Sequence, residues 1–127
     1  MRNYIKRMKE FVKLGFNDCS VDFKTREVGG KDIGEIIKLV EDYNEFNGKK
    51  VAKAIEKIIK VWDPHKELFF SFGREGSCVL YIDLPYWKND KKEKEQKTKL
   101  TLDLLKETKT DELWIEKGSG LVRAWWD

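Results

Sequence analysis

Lys50, Lys53, Lys57 and Lys60 recur at spacings of three and four residues. At 100° per residue this puts all four on one side of a helix, opposite Val51, Ile55, Ile58 and Trp62. The N-terminal segment repeats the arrangement, with Arg2, Lys6, Lys9 and Lys13 facing away from Ile5, Met8 and Val12. Residues 49–60 carry a formal +4 and residues 2–13 also +4, whereas residues 32–46 carry −4, so charge is segregated by element. Rows of cations can neutralise successive phosphates or carboxylates, an attraction that is salt-sensitive and indifferent to sequence. A soluble amphipathic helix in a lysine-rich chain presents the same stripe, so the pattern alone does not separate a docking face from plain solvated surface.

Aromatic side chains could supply the anchor that charge lacks. Tyr86 and Trp87 follow one apolar run, and Trp125 and Trp126 close the chain beside Arg123. Exposed rings stack on unpaired bases, and a Trp or Tyr next to Arg is also the composition of a protein-interface hot spot. Trp125 and Trp126 are consecutive, so on a strand they must point to opposite faces, and one of them is expected outside the core.

Catalytic chemistry has thinner support. Asp22-Phe23-Lys24 has the acid-x-lysine pattern in which a carboxylate holds a divalent cation and the lysine steadies the attacking water or phosphate, as in many metal-dependent nucleases, with Asp83 as the second acid. That reading requires Asp22, Lys24 and Asp83 to converge within a few ångströms. Asp83-Leu84-Pro85-Tyr86-Trp87, ending the run Val79 to Ile82, resembles the strand-end Asp-Pro-Pro-Tyr signature of amino-methyltransferases. The first proline of that signature is missing. The glycine loop that would go with it, Phe72 to Gly76, is separated from Pro85 by only eight residues of one tight hairpin, where the signature needs it on another strand of a parallel sheet. His65 stands alone after Pro64, where capping the preceding helix is its simplest role. Cys19 and Cys78 fall in strand-like runs as small hydrophobes, and two Cys with one His fall short of the four ligands of a structural zinc site. No cofactor or catalytic residue is assigned.

These side chains need elements to position them. Apolar spacing predicts a helix from Arg2 to Leu14, ended by Gly15, and alternation predicts a strand from Cys19 to Val28. Asp32 with Glu35 three residues on has the form of a capping box for a second helix running to about Phe46. Asn47 and Gly48 break that pattern, and a third helix follows, ending before Pro64. Leu68 to Gly73 and Ser77 to Leu84 form the clearest hairpin, and Leu113 to Lys117 with Leu121 to Trp126 a second. Between them a fourth helix packs through Leu100, Leu104 and Leu105. The order α-β-α-α-β-β-α-β-β implies an α+β domain spanning 1–127, with a largely antiparallel sheet of four to five strands and about four helices on one face.

Composition bounds the function. The chain has 127 residues, 40% hydrophobic and 39% charged, enough for a core under a densely charged surface. No apolar run approaches the roughly 20 residues that cross a bilayer, and the basic N-terminus lacks the apolar heart of a signal peptide, so a cytoplasmic protein with no membrane partner is expected. Lysine accounts for 21 of the 26 basic residues and alanine for only three residues, a usage that suggests an AT-rich coding genome such as that of many low-GC bacteria and their phages. The expected function is that of a small, non-enzymatic modulator docking on a macromolecular partner, an acidic protein surface or a nucleic acid, with a homodimer also open. The alternative is a small metal-dependent nucleic-acid-processing enzyme.

Overall fold

The computed structural model describes residues 2–15, 22–40, 42–43, 45–63, 68–86, 90–116 and 118–127. Among them are four helices, α1 (Arg2–Gly15), α2 (Gly30–Ile37), α3 (Gly48–Trp62) and α4 (Lys91–Lys106). The strands are β1 (Phe23–Lys24), β2 (Asp42–Tyr43), β3 (Phe46–Asn47), β4 (Phe69–Glu75), β5 (Ser77–Asp83), β6 (Glu112–Glu116) and β7 (Leu121–Trp126). Five strands build one antiparallel sheet in the order β1-β4-β5-β7-β6, and β2 and β3 pair as a separate two-stranded ribbon. The architecture is α+β.

Cross-strand pairing sorts the side chains into two faces. Phe72, Leu80 and Ala124 lie in one row, and Phe70, Ile82 and Val122 in the next; all six are fully buried under the helices. Each helix adds to that core: Ile5 and Val12 from α1, Ile33, Ile36 and Ile37 from α2, Val51, Ile55, Ile58 and Trp62 from α3, and Leu105 from α4. The helices form a layer in chain order, α1 on α2, α2 on α3 and α3 on α4. The T-shaped contact of Phe11 with Phe23 sets α1 over the β1 edge, and the bonds from Trp126 Nε1 to Thr108, just past α4, set α4 toward β7.

The structure corrects the second helix. It starts at Gly30, with Gly29 at the cap and no side-chain bond there, so Asp32 sits inside the first turn rather than capping it. It ends at Ile37, and the chain instead forms the β2–β3 ribbon. The ribbon delivers Phe46, fully buried, between Phe72 (5.5 Å between ring centroids) and Trp126 (5.0 Å). A helix continued to Phe46 would lose that placement. Asn47 caps α3 through its side chain, which accepts from Lys50 N–H at 3.0 Å. Gly48 packs on the end of α2, where a Cβ would lie 2.1 Å from Val40 O and 2.2 Å from Ile37 O. The expected strand from Cys19 to Val28 is shorter among the described residues: β1 spans two, Thr25 N bonds Phe72 O, and Val28 bridges Phe70. Cys19 itself lies outside the described residues.

Candidate functional site

The lysine row of α3 is exposed, and Lys50, Lys53, Lys57 and Lys60 form no ion pair with any described residue. The row divides. Lys50, Lys53 and Lys57 border a shallow hollow of about 180 Å³ shared with Leu104, Glu107 and Thr108, on the α4 side. Lys60 borders the α2–α3 groove, about 440 Å³, whose floor includes Gly34, Ala52 and Ile55. On α1 the row is partly neutralised. Lys9 Nζ donates to Glu35 Oε2 at 2.7 Å and holds that carboxyl below its ordinary range, and Arg2 approaches Asp32 at 4.0 Å, while Lys6 and Lys13 remain exposed. The helices carry +4, −1, +4 and +3 in chain order, against −7 for the remainder of the chain, so the helical layer is the cationic side of the molecule.

Trp125 and Trp126 do not join that surface. Trp126 is fully buried, stacked edge-on against Phe46, and its Nε1 donates to Thr108 O at 3.0 Å and Thr108 Oγ1 at 3.1 Å; a surface role for it is overturned. Its neighbour Trp125 points to the opposite face of the sheet, as the alternation of a strand requires. Tyr86 serves the fold. Its hydroxyl pairs with Thr98 Oγ1 at 2.7 Å, its ring lies 6.2 Å from that of Trp62 and Lys94 sits over it, which fastens the first turns of α4 to the end of β5. Tyr86 also borders a hollow of about 650 Å³ between α4 and Ile115 of β6. Trp87 and His65 lie outside the described residues.

Arg123 and Trp125 belong to the face of the sheet turned away from the helices, in a network that local sequence patterns do not signal. Its hub is Glu75, which accepts from Tyr81 Oη at 2.7 Å and from Arg123 Nη2 at 2.9 Å. Burial alone would raise the Glu75 carboxyl, but the Tyr81 and Arg123 bonds outweigh it and hold it below the usual carboxylate range. Arg123 also donates to Glu112 at 3.0 Å, and Trp125 Nε1 donates to Glu75 O at 2.8 Å. Trp125 and Arg123 therefore both reach across β5 to β4. That accounts for the complete burial of Val79, the cross-strand partner of Trp125. Lys24 lies 4.8 Å from the Tyr81 ring centroid. With Lys24 and Arg123 against Glu75, Asp83, Glu112 and Glu116, this face is not cationic. Its polar groups largely satisfy one another, and its exposed apolar surface is peripheral, at Phe69 (40% exposed) and Trp114 (44%).

The groups required for a metal-dependent active site do not converge. Asp22 Oδ1 accepts from Gly76 N–H at 3.0 Å and from Arg74 Nη1 at 2.7 Å, at the β4–β5 turn. Asp83 pairs with Phe69 and Leu121 at the other end of β5, six residues from Ser77 and so about 20 Å along the strand. Among the described residues no three His, Cys, Asp or Glu side chains are grouped to hold a metal ion. Cys78 is fully buried, and desolvation pushes its thiol far above the ordinary range, which suits a core residue and not a nucleophile. No described helix is long and apolar enough to cross a membrane. Comparison of the chain with protein-family models, curated proteins and solved structures yields no match.

Proposed function

We propose that the protein is a small, non-enzymatic binding module that docks on an acidic macromolecule in the cytoplasm through its helical layer. The observation that carries this reading is the exposed row Lys50, Lys53, Lys57 and Lys60, unpaired among the described residues, on the side of the molecule where positive charge is concentrated. Ammonium groups with no intramolecular partner keep their full attraction for an incoming anion, whereas paired ones such as Lys9 must first give up a carboxylate.

The test is fluorescence anisotropy with labelled single-stranded and duplex DNA and RNA over a salt series, comparing the native chain with the variant carrying all four lysines as Glu. The expected result is binding that weakens steeply with salt and is lost in the variant. If each lysine meets one phosphate, the slope of log K against log salt is about −2.8 on single strands and about −3.6 on duplex. Indifference to the four substitutions, or no retention of any acidic probe at physiological salt, an acidic peptide included, would overturn the proposal. A second reading rests on Trp114, exposed between Glu112 and Glu116 on the edge strand β6, which suits a protein contact or self-association on the sheet side. Sedimentation of the native chain beside Trp114→Ser tests it: a dimer that the substitution dissociates supports self-association, and two identical monomers remove it.

A further inference from the structure

We infer that the acidic partner is a protein, which seats an acidic amphipathic helix along the seam between α3 and α4; this rests on the helical-layer reading and narrows it. The two helices run antiparallel, since Trp62 at the end of α3 bonds Thr101 while Lys50 near its start shares a hollow with Thr108. Leu104 lines that hollow beside Lys53 and Lys57. Leu100 lies one turn earlier on the same flank of α4, toward the Trp62 end of α3, and is 52% exposed, the highest exposure of any large hydrophobic among the described residues. On α3 the positions at four-residue spacing are Lys53, Lys57 and then Val61, which is only half-buried.

Two side-by-side ridges result: three lysines on α3, unpaired among the described residues and continued along their row by Val61, and Leu104 with Leu100 on α4. Among the described residues Glu107 is the single acid bordering the hollow, so the seam remains cationic. From Lys50 to Val61 the seam is about 16 Å long, some three turns of a helix laid along it. A phosphate backbone has charge for the lysines but no apolar surface to cover Leu100. A helix with leucines along one side and carboxylates flanking them complements both ridges, the groove mode of helix recognition.

The experiment uses three labelled probes with the full chain: a peptide of about 18 residues, some five turns, with leucines on one helical face among glutamates; the same peptide with its leucines replaced by Ala at equal charge; and a single-stranded DNA. Leu100 is exposed, so Leu100→Ser should fold normally, which circular dichroism verifies. The expected result is that the leucine peptide binds about tenfold tighter than the alanine peptide, which corresponds to the apolar contact of one or two side chains. Leu100→Ser should remove most of that difference, leave the DNA affinity unchanged, and be distinct from Lys53→Glu with Lys57→Glu, which weakens all probes. Equal binding of the two peptides, or no effect of Leu100→Ser, overturns this inference while leaving the helical-layer reading standing. Failure of every acidic probe to bind overturns both.

Discussion

Replacing Thr101 by Val should destabilise the protein by about 1 to 3 kcal/mol, because it leaves a buried donor without an acceptor. Trp62 and Thr101 are both fully buried, and the indole Nε1 donates to Thr101 Oγ1 at 2.8 Å. Valine keeps the shape and the β-branching, so little packing changes. The bond from Thr101 Oγ1 to Lys97 O is lost as well, but that carbonyl lies in the helix interior, where the backbone ladder serves it. The cost is therefore mainly that of desolvating the indole N–H. At about 4 °C per kcal/mol for a domain of this size, the midpoint should fall by about 4 to 12 °C. Thermal and urea unfolding followed by circular dichroism would measure it, in the native background and again with Trp62→Phe. In the Phe background the donor is already gone, so Thr101→Val should then cost less than about 0.5 kcal/mol, the usual limit of additivity between uncoupled changes. An equal cost in both backgrounds would refute the reasoning, as would a native-background cost below that limit. The bond matters for the seam because it sets the register of α4 against α3, and with it the position of Leu100 relative to the lysine row.

Two glycines should respond in opposite directions. Gly48→Ala should cost about 2 to 3 kcal/mol, because its Cβ would strike backbone carbonyls of Val40 and Ile37, whereas Gly34→Ala meets nothing within 4 Å and should stabilise α2 by about 0.5 to 1 kcal/mol; urea midpoints distinguish them, and equal signs would contradict the packing described. The lowered carboxyl of Glu75 adds stability that is present above its unfolded value near 4.5 and is lost as pH falls through its lower folded value. Glu75→Gln should therefore reduce stability at pH 7 and flatten its decline below about pH 4.5, modestly, since the side chain is 37% exposed and partly screened; an unchanged acid limb would count against the network. With Cys19 replaced by Ser, the Cys78 thiol should stay unreactive toward a thiol reagent at pH 8 until denaturant is added, and prompt reaction in the folded protein would contradict its burial.

The sequence by itself determined the elements whose pattern is local. The 3.6-residue spacing of α1 and α3, the aromatic and β-branched runs of β4 and β5, and the glycine-bearing connections of the two hairpins were legible because each is a property of residues close together in the chain. The same logic exposed the lysine row and required Trp125 and Trp126 to point apart. The end of α2 was not legible: residues 38–46 continue an acceptable helical pattern, and what overrides it is distant, the slot between Phe72 and Trp126 that Phe46 fills and the close seating of Gly48 on Val40 and Ile37. Leu100 fits the apolar pattern of α4 yet is left exposed, because the core side of that helix is taken by Thr101 and Leu105. Glu75, Arg123 and Tyr81 meet only through the register of three strands. Tertiary structure alone decided that lysines and outward aromatics occupy opposite sides of the molecule, and that Asp22 and Asp83 stand at opposite ends of the sheet. Periodicity carries the direction of a side chain relative to its own element, whereas which groups share a surface depends on contacts between residues far apart in the chain.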